Sequence, residues 1–87
     1  ISISELASNA YMSEDHFIRL FRKELGETPT NYMIRLKMER AELMLITTDL
    51  PVKRISYELG YEEVSYFSNL FKKKVGRTPN DYRKGKR

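Results

Sequence analysis

LFRKELGETPTNYM, residues 20–33, returns fifty residues later as LFKKKVGRTPNDYR, residues 70–83. Extending the pairing upstream gives eight identities in the seventeen pairs from His16 to Tyr32: Phe17/Phe67, Leu20/Leu70, Phe21/Phe71, Lys23/Lys73, Gly26/Gly76, Thr28/Thr78, Pro29/Pro79 and Tyr32/Tyr82. Arg22/Lys72, Leu25/Val75 and Asn31/Asp81 are conservative partners, so chance similarity is no serious competitor. Further upstream the offset falls to forty-nine, setting Ile55 against Leu6, which places one added residue between Gly60 and Val64. A chain of 87 residues that repeats itself in this way holds two copies of one small unit.

Each copy has helical periodicity. Phe17, Leu20, Phe21 and Leu25 recur at steps of three and four, as do Phe67, Leu70, Phe71 and Val75, so both helices are expected to bury that face. At about 100° per residue, Asp15, Ile18, Arg19 and Arg22 fall opposite on the first helix, and Ser65, Ser68, Asn69 and Lys72 on the second. These faces remain free to touch something else.

Helix ends are written as clearly. Ser2 with Glu5 forms a capping box and Ile1 with Leu6 a hydrophobic staple, predicting a short helix over about 3–9. Ser13 caps a helix running to about Leu25. Gly26 and Gly76 stand where a helix C-terminus favours φ > 0, and Thr28-Pro29 and Thr78-Pro79 each supply an N-cap followed by proline at the first helical position. In the second copy the short helix is expected over about 52–59, the turn at Gly60, Tyr61 and Glu62, and the long helix over about 63–75. Between the copies, 29–47 reads as one helix with Ile34, Met38, Ala41 and Leu45 as its apolar stripe.

Short helix, tight turn, longer helix is helix-turn-helix topology, here present twice. The expected fold is all-α: two helix-turn-helix subdomains, each a homeodomain-like three-helix unit, joined by a long linker helix that holds them apart. The segments are 1–28 for the first unit, 29–48 for the linker, and 49–87 for the second unit with a short C-terminal helix and a basic tail.

Composition removes several function classes. With no cysteine and one histidine, neither a disulfide framework nor a thiolate zinc site is available, and no metal or cofactor is expected. No apolar run is long enough for a bilayer and no signal-like start is present, so a cytoplasmic, soluble module without membrane contact is expected. The missing initiator Met suggests a fragment of a longer protein. Residues 72–87 carry eight Lys or Arg against Asp81 alone, net +7, while residues 1–71 carry eight basic and eleven acidic, net −3. Positive charge gathered at one end suits a polyanion, with a solvated tail as the alternative.

ELA near the start, MSEDHFIRLFRKELGETPTNYM (12–33), MERAELML (38–45) and PVKRISYELGYEEVSYFSNLFKKKVGRTPNDYR (51–83) together resemble the AraC/XylS-type DNA-binding domain of bacterial transcription regulators. The resemblance spans nearly the whole chain. Its specific part is the second half, with Gly60-Tyr61, Ser65-Tyr66-Phe67, Phe71-Lys72, Gly76-x-Thr78-Pro79 and Tyr82-Arg83. It implies seven helices, of which the one preceding the first unit is largely missing here, and two recognition helices in successive major-groove segments of an asymmetric two-box duplex site. An effector or sensor domain is expected in the missing part of the parent chain, with activator as the expected kind of regulator and repressor as the open alternative.

Carried onto this sequence, the family's base-contacting positions are Asp15, Ile18 and Arg19 in the first long helix and Ser65, Ser68 and Asn69 in the second. Arg19 suits guanine O6 and N7, Asn69 adenine N6 and N7, Ile18 a thymine methyl, and Asp15 cytosine N4. Helix capping is an equal explanation of Asp15, and a lone exposed Ile18 needs none. Ser13, His16, Arg22, Lys23, Arg54, Tyr66, Lys72 and Lys73 are candidates for the DNA backbone, against an idle solvated surface; for His16 a partly buried or capping side chain is the stronger alternative. Tyr32, Tyr61 and Tyr82 read as packing residues with hydroxyls at the rim. No nucleophile, base and orienting group assemble, so no catalytic residue is expected and the chain reads as no enzyme. A second function class is protein interaction, with the same exposed helix faces or the acidic patch around Glu58, Glu62 and Glu63 docking on a partner such as RNA polymerase.

Overall fold

The computed structural model describes residues 3–86. Ser2 of the expected capping box, Ile1 of the staple and Arg87 of the basic end lie outside the described residues. Among these the chain is all-helical, with no strand: α1 Ile3–Asn9, α2 Glu14–Leu25, α3 Pro29–Thr47, α4 Val52–Glu58, α5 Val64–Val75 and α6 Pro79–Lys86. The chain divides into two compact units, Ile1–Ile34 and Arg35–Arg87. The expected linker segment is thereby shared, its residues up to Ile34 in the first unit and those from Arg35 in the second.

In the first unit α1 packs against α2. Ser13, in extended conformation, accepts the His16 backbone N–H on its hydroxyl at 3.2 Å, satisfying a donor that has no carbonyl within the helix. The preceding turn is closed by the Met12 N–H on the Ala7 carbonyl at 3.1 Å. The second unit repeats this with the Tyr61 N–H on the Ser56 carbonyl at 3.0 Å. Met12 thus matches Tyr61 and Ser13 matches Glu63, so the added residue of the second copy is Glu62. At the matched turn position Gly60 has φ 90° and Tyr11 has φ 57°. Glycine adopts this left-handed backbone freely; a tyrosine Cβ is crowded there. Tyr11→Asn is therefore expected to stabilise the first unit by about 0.5–1 kcal/mol, read as a higher urea midpoint at unchanged m-value.

Both copies stop and restart the chain in the same way. The Gly26 N–H reaches the Arg22 carbonyl at 2.8 Å and the Gly76 N–H the Lys72 carbonyl at 2.9 Å. Thr28 Oγ1 accepts the Asn31 N–H at 3.2 Å, and Thr78 Oγ1 the Asp81 N–H at 3.1 Å. The aromatic contacts match too: Phe17 to Phe21 at 5.7 Å and Phe21 edge-on to Tyr32 at 5.5 Å, against Phe67 to Phe71 at 6.0 Å and Phe71 edge-on to Tyr82 at 5.7 Å.

The copies differ in how well they bury that face. Phe67 and Phe71 are wholly buried, with Met38, Ala41, Leu45, Ile55 and Tyr82 completing the second core. On α2 no residue is buried; Leu20 is 39% and Leu25 56% exposed, contrary to the expectation of a sealed apolar face. The reason is local: α5 is packed by both α4 and α6, whereas α2 has α1 as its main partner and meets Tyr32 through one ring contact.

Other differences from expectation are small and follow from caps. α4 ends at Glu58, with Leu59 as its C-cap, and α5 begins at Val64 because Glu63 keeps extended angles. Lys84 and Lys86, expected in a tail, lie in the last turn of α6. Arg83 is no free cation: its Nε donates to the Leu45 carbonyl at 3.0 Å and its Nη2 to the Thr48 and Leu50 carbonyls at 3.3 and 2.6 Å. The Leu45 carbonyl lies in the last turn of α3 and those of Thr48 and Leu50 just beyond it; carbonyls at a helix C-terminus lack a partner within the helix, and a guanidinium answers both their hydrogen-bonding need and the negative end of the helix dipole. The first copy has Met33 at this position. Arg83→Met is expected to destabilise the second unit by about 2–3 kcal/mol, measured by urea unfolding.

Candidate nucleic-acid interface

α2 presents its outward face as periodicity requires. Asp15 and Arg19 are exposed and Ile18 is half-buried rather than fully exposed; the three line one open concavity. Asp15 lies in the first turn, where a carboxylate also favours the helix dipole. Arg22 and Lys23 occupy the last turn, exposed. The His16 side chain is exposed, and it is its backbone that is capped: the expected buried or capping histidine is not found.

α5 carries Ser65 and Asn69 exposed and Ser68 half-buried, with Lys72 continuing the same face and Lys73 beside it. The helix contains no acidic residue, and Lys72, Lys73 and Lys74 fill its last turn. Tyr66 is exposed with its ring 5.9 Å from that of Tyr61. Tyr61 in turn lies 5.6 Å from Phe67 and carries the Lys37 ammonium 5.0 Å above its ring. Burial first, and the neighbouring Tyr66 second, push the Tyr61 hydroxyl pKa upward.

Sequence reasoning missed Lys37. It sits on α3 between the apolar positions and looks like any solvated lysine; the second unit's fold brings it onto Tyr61 beside the Gly60 turn. Arg54, a candidate for the DNA backbone, forms an exposed ion pair with Glu58 at 2.9 Å. That pair engages one acid of the proposed acidic patch. Tyr82, buried, donates to Glu42 Oε2 at 2.8 Å, and burial, then this hydrogen bond, raise its pKa above 10.0. Its place is structural, as packing predicted. Among the described residues no His, Asp and Glu cluster could hold a metal ion, and no helix is long and apolar enough to cross a membrane.

The geometry is therefore two helix-turn-helix units, each displaying the outer face of its longer helix. The model of a helix-turn-helix domain family matches residues 6–85. The chain belongs to the AraC-type helix-turn-helix family. Relatives of this AraC-type domain include the transcriptional regulator CdhR of Pseudomonas aeruginosa, 37% identical over 62 residues, covering 71% of this chain and 18% of that protein. Among solved structures, the C-terminal domain of the two-component response regulator yesN of Fusobacterium nucleatum superposes with a TM-score of 0.90 at 34% identity, covering 95% of this chain and 81% of that one. The DNA-binding domain of AdpA, solved in complex with a target DNA, superposes with a TM-score of 0.90 at 28% identity, covering 98% and 77%. The chain spans 18% and 26% of the first two curated relatives' lengths.

Proposed function

We propose that this AraC-type domain binds double-stranded DNA sequence-specifically as the DNA-reading part of a bacterial transcription regulator, with α2 and α5 as recognition helices in successive major-groove segments. The observation that carries the reading is the repeated geometry: in both units the outer face of the long helix is left uncovered, and in α5 that face is free of acids and ends in three lysines. A helix of this diameter fits the major groove, and its N-terminal half meets base edges while its last turn meets phosphate. The similarity to the AdpA domain, bound to its target DNA, supports the same reading.

Asp15, Ile18, Arg19, Ser65, Ser68 and Asn69 are proposed to contact bases. Ser13, His16, Arg22, Lys23, Tyr66, Lys72 and Lys73 are proposed to contact the backbone, and Arg54 to do so once its pair with Glu58 opens. The site is an asymmetric pair of boxes, since two units of different surface chemistry lie in one chain. It is a binding module and not an enzyme, working in the cytoplasm, with segments 1–28, 29–48 and 49–87 serving as first reader, linker and second reader. In the parent protein an effector or sensor domain would control it, and RNA polymerase would be the partner of activation.

Gel shifts with selected and random duplexes test the reading. Arg19→Ala and Asn69→Ala are each expected to weaken the selected site by about 1–3 kcal/mol and to relax preference at only a few base pairs. If Arg19→Ala instead weakens every sequence equally, Arg19 is a phosphate anchor and its assignment to a base is wrong.

A further inference from the structure

The two units share a fold but not a charge. Residues 1–34 carry three basic and five acidic side chains, net −2, and residues 35–87 thirteen and seven, net +6. Matched position by position at the offset of fifty, the divergence is concentrated where the first copy is acidic: Glu14 faces Val64, Asp15 faces Ser65, Glu24 faces Lys74 and Glu27 faces Arg77. The ring, glycine and Thr-Pro positions that build the fold are the same in both copies, and the cations Arg22/Lys72 and Lys23/Lys73 are kept, while two of the four acids become neutral and two become basic. Arg83 is occupied by carbonyls, yet Lys72, Lys73 and Lys74 remain exposed on α5.

We infer that the units contribute unequally to binding DNA: the second is the anchor, whose lysines add affinity on any sequence to the base contacts of α5, and the first is a selectivity filter whose acids suppress binding to the wrong duplex. This rests on the DNA-binding reading. Lysines exchange condensed counterions for phosphates and gain affinity on any sequence. Acids beside the same backbone repel it. Asp15, exposed in the first turn of α2, can be satisfied in the groove only by an amino donor, that of cytosine or adenine. Against the acceptor edges of guanine or thymine it stays unpaired and loses its water. Such a group contributes specificity by penalising alternatives, which is a distinct strategy from adding contacts to the correct site.

The test transplants the second copy's charges into the first. Asp15→Ser combined with Glu24→Lys alters two exposed positions, so folding is retained and is checked by the helical circular-dichroism spectrum. Affinity is measured by fluorescence anisotropy at two salt concentrations, on a duplex selected by the wild-type chain and on a random duplex. Binding to the random duplex is expected to rise about tenfold, with a steeper salt slope, while the preference for the selected duplex falls by a similar factor. The reverse change, Lys74→Glu, is expected to weaken both duplexes about equally, leaving the preference intact. Random-duplex affinity unchanged within about twofold in the double variant, or a rise that leaves the preference as it was, overturns the filter while leaving DNA binding in place. If the wild-type chain binds neither duplex, the DNA reading fails and the filter with it.

Discussion

Phe71→Ala is expected to cost the second unit about 3–5 kcal/mol, enough to unfold most or all of a domain this small. The side chain is wholly buried, stands edge-on to Tyr82 and touches Phe67, so truncation removes buried apolar surface and leaves a cavity lined by rings that cannot collapse into it. The matched change Phe21→Ala makes the informative contrast. Phe21 holds the same two ring contacts, to Phe17 and Tyr32, but is only half-buried on a helix with no buried residue, and should cost about 1–2 kcal/mol. Urea unfolding followed by residue-resolved hydrogen exchange separates the two units. Equal losses in the two variants would mean that the α2 face is better covered in solution than the structure shows.

Raising salt fourfold is expected to weaken DNA binding by two to three orders of magnitude. If Arg22, Lys23, Lys72, Lys73 and one further cation each neutralise a phosphate, log affinity falls with log salt at a slope of about −4 to −5. Lys72→Ala with Lys73→Ala should shallow the slope by nearly two, since each lost phosphate contact removes about 0.9. A flat response would place the basic groups away from DNA and favour a protein partner for these helix faces.

What was legible in the sequence was what is local. The Gly-x-Thr-Pro punctuation at 26–29 and 76–79 fixed helix ends because a positive φ, a hydroxyl cap and a proline each act within four residues; the structure reproduces their bonds in both copies. Outward faces followed from a period of 3.6 and needed no knowledge of packing. Burial was less legible, because whether Leu20 and Leu25 are covered depends on how many helices reach α2, which no pattern within α2 records. Arg83 read as one more cation in a basic end, and only the return of the chain to the C-terminus of α3 shows that it is spent on carbonyls. Lys37 was hidden for the same reason, since its meeting with Tyr61 spans α3 and the turn after α4. The Tyr11 backbone was recoverable in principle: the offset of forty-nine already aligned it with Gly60, and a glycine in one copy of a turn warns of a left-handed residue in the other. The base contacts proposed for Asp15, Arg19 and Asn69 rest on residue chemistry and family resemblance, because the face shows where a helix can touch and not what it touches.

The central claim, that one chain reads two different boxes with two helices, is tested most directly by selecting duplexes from a random pool with the wild-type chain and again with Asn69→Ala. The account predicts an asymmetric consensus of two separated boxes, with the variant losing preference in one box and retaining the other unchanged. A palindromic consensus, a single box, or a loss of preference spread evenly over the site in the variant would contradict it.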